Sequence, residues 1–245
     1  MTNITVLSYA HNAHRCWVKH WANQLNQQTY RDFDTLFIPH NWNGSTHKDK
    51  YRIISYVDEI VRDRLDDDIY SRLKIVPHWG EPVVGDVINF ARTQIKTEFV
   101  ANWDVDDLIH PDRIRKQFDF LEENNDIDFL GARGIGFWGD NPEWPDLYEN
   151  SETSLLIKYL NDPELQSHEQ IKQCFTQGLN CLPHSTMTYR IRALDALGGF
   201  SMSHVKKDNK SPDEQTWRKA ISAGYKFHRL PEILMLWRLN STSQR

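Results

Sequence analysis

The chain opens on a short apolar run, Ile4-Thr5-Val6-Leu7-Ser8-Tyr9, whose β-branched residues predict a strand. Trp17, Trp21 and Leu25 then recur at four-residue spacing, which lays one apolar face on a helix over 14–28. The alternation repeats. Phe33 to Ile38 is a second apolar strand, closed by Pro39 and the turn-rich His40-Asn41-Trp42-Asn43-Gly44-Ser45. A helix follows over 51–65, with Ile54, Val57, Ile60 and Val61 inward, and then a strand over 72–76. A loop over 80–85 leads to a helix over 87–96. The next strand, 98–103, runs straight into Asp104-Val105-Asp106-Asp107. Pro111 suits the first turn of a helix over 111–123, on which Ile114, Phe118 and Leu121 share a face. Residues 126–132 form a further strand.

Four β-to-α alternations before Ala132 are the signature of an α/β fold with an open, mostly parallel sheet flanked by helices. The second half is less regular. Residues 139–180 are polar and rich in Trp, Pro, Asn and Glu, with helices predicted over 154–160 and 167–175. Residues 185–189 read as a strand, 191–197 as a helix ending at Gly198-Gly199, and 213–223 as a helix ending at Gly224. Two closing strands are expected, over 226–230 and 234–239. A length of 245 residues suits a single domain, with halves at 1–132 and 133–245.

Composition narrows the classes. Hydrophobic residues at 39% and charged residues at 26% fit a folded protein. The net charge of −5 weighs against a nucleic-acid partner. No apolar run approaches the roughly 20 residues of a membrane-spanning helix, and the first residues lack a signal-peptide pattern. Cys16, Cys174 and Cys181 form neither a disulfide framework nor a zinc motif. A cytoplasmic location follows as an expectation, with peripheral membrane association left open. Most of the nine Trp, nine Tyr and eleven Phe are expected to fill core, although aromatic faces also suit the C–H faces of sugar rings.

Ligands of open α/β sheets bind at the carboxyl ends of the strands, where Asp104 and Asp106 fall. If the extended geometry continued, both would point to one side with Val105 pointing away. Paired carboxylates suit Mg²⁺ or Mn²⁺, which in turn neutralises a departing diphosphate.

Several blocks resemble the family 2 glycosyltransferases. They are Ala91-Arg92; Phe99 to Asp107; His110-Pro111-Asp112-Arg113; Phe120 to Asn124; Pro183 to Arg190 with Leu197-Gly198-Gly199-Phe200; and Pro212 to Ala220 with Gly224 to Phe227. Their order spans nearly the whole chain. The resemblance implies a GT-A fold whose C-terminal portion serves the acceptor. It also implies a nucleotide-diphosphate sugar donor, a saccharide or other hydroxyl-bearing acceptor, and transfer with inversion. Residue by residue, it implies that Asp104 contacts ribose or metal, that Asp106 is a metal ligand, and that Asp107 supports them. Arg92 would lie near the nucleotide, Ser8 and Tyr9 would line the donor site, and His184 the acceptor side. Asp213 would be the catalytic base, with Glu214 as the substitute one residue on. The loop 205–211 would close over the phosphates.

Three departures matter. Asn43, or Asn41, stands where the family grips the base with an aspartate, so a uridine donor does not follow. The first strand ends Ser8-Tyr9-Ala10-His11-Asn12 in place of a common Pro-Thr-Tyr-Asn. Asn240 stands where many members place a metal-binding His, so the resemblance implies a weaker metal ligand there, through the Asn carbonyl oxygen, or water in its place. The changes at Asn43 and Asn240 favour the competing expectation, a catalytically silent nucleotide- or sugar-binding protein. The retained Asp104, Asp106 and Asp213 favour an active enzyme.

Overall fold

The structure is a computed structural model that describes residues 2–42, 49–81, 83–137, 162–202 and 211–238. Four strands form one parallel run of the sheet: β1 (Ile4–His11), β2 (Asp34–His40), β3 (Leu73–Ile75) and β4 (Phe99–Asp104). They lie in the order β3-β2-β1-β4. The helices between them are α1 (Val18–Asn26), α2 (Lys50–Arg62), the short α3 (Asp67–Tyr70) and α4 (Val84–Arg92).

Strand alternation divides the core into two layers. Ile4, Val6 and Ala10 of β1 and Phe99, Ala101 and Trp103 of β4 pack with Trp21 and Leu25 of α1 and Val57 and Val61 of α2. Leu7 and Tyr9 of β1 and Val100 of β4 face the other way, toward Val87 and Ile88 of α4. This parity decides which end-of-strand residues can meet a ligand.

Past β4 come β5 (Leu108–Ile109), α5 (Arg113–Glu123), β6 (Phe129–Phe137), α6 (His168–Thr176), β7 (Thr188–Arg190), α7 (Ile191–Ala196), α8 (Pro212–Ser222) and β8 (Phe227–Arg238). The sheet continues β4-β7-β6-β8-β5. β7 inserts antiparallel between β4 and β6, and β6 pairs parallel with β8. One sheet therefore draws strands from both sides of Ala132, and β6 runs across that position.

Several boundaries differ from the sequence expectation. The first helix begins as a 3₁₀ turn over Asn12–Trp17 and becomes α-helical at Val18. α4 starts three residues earlier and ends at Arg92. On α2 the inward set is Ile53, Val57 and Val61, with Ile54 only half-buried. The two closing strands are one, because register shifts opposite Ala132 and Arg133 absorb Pro231 as an irregularity. The helix expected over 154–160 lies outside the described residues.

Candidate active site

Tyr9 and Asp104 are register partners at the last paired row of β1 and β4. By the parity above, both point to the α4 side. There they line a cavity of about 290 Å³ with Val83 and Val84 at the start of α4, His184, Phe200, and Pro212 and Asp213 at the start of α8. The structure thus brings together one carboxylate from the first half of the chain and one from the second. A larger hollow of about 410 Å³, between Thr5, Asp34, Arg72, Lys74 and Lys96, lies at the amino ends of the strands, the wrong edge for an α/β site.

Ser8 points the other way. Its side chain is fully buried and its hydroxyl accepts from the Trp21 indole at 2.8 Å, so it belongs to the α1 layer and not to the cavity. Arg92 is also distant. It ends α4, roughly 12 Å along the helix from Val84 at 1.5 Å per residue, and pairs with Asp195 at 3.3 Å. Asn41 is half of a 2.7 Å contact with the His11 ring and has φ of 51°. Asn43, Asn240 and most of the 205–211 loop lie outside the described residues.

The chain does not stay extended through the acidic cluster, of which Asp104 ends β4 and Asp106 and Asp107 follow it. The chain turns at once, with the Asp107 amide donating to the Asp104 carbonyl at 3.1 Å, so Asp104 and Asp106 do not share a side through strand geometry. Asp107 is a structural hub. It accepts from Ser185 Oγ at 2.7 Å and from the Arg238 amide at 3.1 Å, joining the turn to β8 and to the 3₁₀ turn at His184–Thr186. Burial, and then the charges of Asp106 and Asp104, push its carboxyl well above the usual range. Burial likewise raises Asp106; Asp104 adds to this, and His14 and Arg238 oppose it. Under the turn, fully buried Arg113 donates to Asn102 O at 2.6 Å and Gln117 Oε1 at 2.9 Å. Burial pulls its guanidinium down to about 9 against the opposing pull of Asp107 and Asp104, so it remains a cation at neutral pH. Asp104 Oδ1 is buried with no hydrogen-bond partner among the described residues. It is a hard oxygen donor that no hydrogen bond among these residues satisfies.

His184 is held by a short relay. Tyr189 donates its phenolic hydrogen to Asn102 Oδ1 at 3.3 Å, which turns Asn102 Nδ2 toward His184 Nδ1 at 3.5 Å. The proton is thereby assigned to Nε2, a buried atom without a partner among the described residues. The ring stacks on Trp217 at 6.2 Å between centroids and meets Phe200 edge-on at 5.2 Å. Burial, and then the charge of Asp104, push the Tyr9 phenol well above its usual range.

Asp213 and Glu214 part company within one turn. Asp213 lines the cavity, whereas Glu214 is buried in an ion pair with Arg218 Nε at 2.8 Å. Asp213 Oδ2 accepts a hydrogen bond from Asn180 Nδ2 at 3.2 Å. Neither Asn180 nor the α4 start at Val83 and Val84 was singled out in the sequence, because their nearness to the site is purely tertiary.

Residues 57–198 match the model of glycosyl transferase family 2, a span that holds more than half the chain and both Asp104 and His184. The chain belongs to that family. It is 23% identical over 236 residues to an uncharacterised glycosyltransferase of Methanocaldococcus jannaschii, covering 96% of this chain and 70% of that one. It is 23% identical to the O-antigen biosynthesis glycosyltransferase WbnJ of Escherichia coli, covering 90% and 74%. Among solved structures, it resembles Staphylococcus aureus TarS 1-349 in complex with UDP-GlcNAc, with a TM-score of 0.60, 16% identity, and coverage of 98% and 59%. It also resembles the mannosyltransferase PcManGT of Pyrobaculum calidifontis in complex with GDP-Man and Mn²⁺, with a TM-score of 0.62, 12% identity, and coverage of 98% and 57%. The fold of this family 2 member is therefore GT-A. The chain spans less than two thirds of either structure.

Among the described residues, no helix is long and apolar enough to cross a membrane. Among the same residues, no three His, Cys, Asp or Glu side chains converge as a metal-holding set.

Proposed function

We propose that this chain transfers a sugar from a nucleoside-diphosphate sugar to an acceptor hydroxyl with inversion at the anomeric carbon, and that 1–245 acts as one domain. The observation that carries the reading is that Asp104 and Asp213 line one cavity at the carboxyl end of the sheet. Displacement from behind a leaving diphosphate needs negative-charge handling on one side and a proton acceptor on the other. Asp104 and Asp106 are the residues that would hold Mg²⁺ or Mn²⁺, and the buried, unpartnered Asp104 Oδ1 suits that charge. When bound, such an ion neutralises the departing diphosphate. With these two carboxylates offered among the described residues, diphosphate oxygens and water would complete its coordination.

On the other wall, Asp213 accepts the proton of the attacking hydroxyl, and His184 Nε2–H orients that hydroxyl. Tyr9, Phe200 and Val84 offer apolar faces to the sugar ring. The three unpaired cysteines suit a reducing, cytoplasmic setting.

The test separates the two walls. Binding of UDP and GDP is measured by calorimetry with and without Mn²⁺, and turnover as nucleoside diphosphate released from UDP-GlcNAc and GDP-mannose. Asp104→Asn should remove the Mn²⁺-dependent part of binding. Asp213→Asn should keep binding and slow turnover by about 10²–10⁴-fold. Turnover unaffected by Asp213→Asn, or a product of retained anomeric configuration by NMR, overturns the inverting mechanism. Nucleotide binding in a chain whose wild type turns over no donor would favour the silent binder.

A further inference from the structure

The loop that follows α6 ends that helix with a two-bond cap. The Gly178 amide donates to Phe175 O at 3.0 Å, and the Leu179 amide to Cys174 O at 3.2 Å. This pattern needs a left-handed residue at its centre, which Gly178 supplies at φ of 84°. Buried Cys181 and Leu182 then pin the far side of the loop, and Arg229 holds the Cys181 carbonyl at 3.3 Å. Asn180 is suspended between these anchors.

Its amide orientation is determined. Oδ1 accepts from the Leu182 backbone N–H at 3.2 Å, a bond an NH₂ group cannot accept, so Nδ2 faces Asp213 Oδ2 at 3.2 Å. We infer that Asn180 is a positioning residue for the proposed base: its fixed amide holds one Asp213 oxygen and aims the other at the acceptor hydroxyl. This role rests on the reading of Asp213 above. Among the described residues, Ser211 at the N-cap of α8 makes no side-chain cap bond.

Three variants test the role, with turnover measured as Mn²⁺-dependent release of nucleoside diphosphate from UDP-GlcNAc and GDP-mannose, and binding as UDP and GDP affinity. Asn180→Ala should lower kcat by about ten- to a hundredfold, the range for slight misplacement of a reacting group, with nucleotide affinity unchanged. Asn180→Asp keeps the shape and the bond from Leu182 but sets a second carboxylate against Asp213. It should lose at least as much as Asn180→Ala. A merely structural Asn180 would give the reverse order, which would overturn the inference. Adding Asn180→Ala to Asp213→Asn should cost nothing further, and a fully additive loss would also overturn it. Full activity in Asp213→Asn alone would remove the base itself, a failure distinct from additivity. A crystal structure of Asn180→Ala supplies a readout independent of turnover: an Asp213 carboxylate still in its original rotamer counts against the inference.

Discussion

Gly85, in the first turn of α4, is the position where a single methyl group should do most damage. A Cβ there would stand 1.9 Å from the Ser201 carbonyl oxygen and 2.8 Å from its carbon. Reaching even 3.0 Å demands a shift of 1.1 Å, and the obstacle is backbone on both sides, so no side chain can swing away. The helix would gain up to about 1 kcal/mol from replacing Gly by Ala. Overpacking of this kind costs about 1–3 kcal/mol, and rigid backbone against rigid backbone belongs at the upper end. The net loss for Gly85→Ala is then about 1–2 kcal/mol, a fall in Tm of roughly 2–8 °C for a chain of this size. The functional effect should be larger than the thermal one. Val84 and Phe200, the neighbours of the two colliding groups, both line the cavity. A wall moved by about 1 Å can cost on the order of a hundredfold in turnover. The assay is thermal unfolding beside kcat on UDP-GlcNAc or GDP-mannose, with Gly224→Ala as the control. Gly224 has φ of 88° but open space around its Cβ, so it carries strain without collision and lies away from the cavity. A Gly85→Ala protein as stable and as active as wild type would refute the close approach of α4 to Ser201.

Burial, and then the charges of His11, His78 and His14, hold buried His40 down at about 3, below an ordinary 6.5. The unfolded chain therefore takes up this proton first, so stability is full above about pH 6.5 and is lost as pH falls toward 3, by up to about 1.4 kcal/mol per unit. His40→Asn should flatten the slope of urea-unfolding stability between pH 6.5 and 4.5 relative to wild type, and parallel slopes would refute this. Trp217 is fully buried among Phe129, Phe200, Phe227 and the His184 ring. Trp217→Ala should cost about 3–5 kcal/mol in urea unfolding, and a loss below 1 kcal/mol would show that the platform under His184 is not held by this ring.

Much of the site was legible because it lies at strand ends. The apolar run of β1 and the run into Asp104 set both the strands and their carboxyl ends, and parity then turns Tyr9 and Asp104 to one face. Parity also shows why the Ser8 side chain points away from the cavity: adjacent strand residues point to opposite layers, and position 8 belongs to Trp21. The early start of α4 was hidden because Gly85 reads locally as a turn residue, whereas its role is a contact with a carbonyl far along the chain. The insertion of β7 between β4 and β6 is equally nonlocal, since nothing in Thr188-Tyr189-Arg190 names its partners. Asn180 left no signal at all. Its importance comes from a helix cap and a neighbouring helix that meet only in the fold.

Which of Asp213 and Glu214 lines the cavity, by contrast, follows from helical periodicity. Residues four apart share a face of a helix, and successive residues lie about 100° apart. Asp213 shares its face with Trp217, and Trp217 stacks on His184 against the cavity wall. Glu214 shares its face with Arg218, which it binds at 2.8 Å and whose guanidinium lies 5.3 Å from the Phe175 ring centre on α6. Rotating α8 by one residue to bring Glu214 to the cavity would swing Trp217 out of its aromatic cluster and strip Arg218 of its buried partner. The first loss alone costs several kcal/mol, more than one carboxylate contact can return. The packing of one tryptophan thus selects which acid lines the cavity.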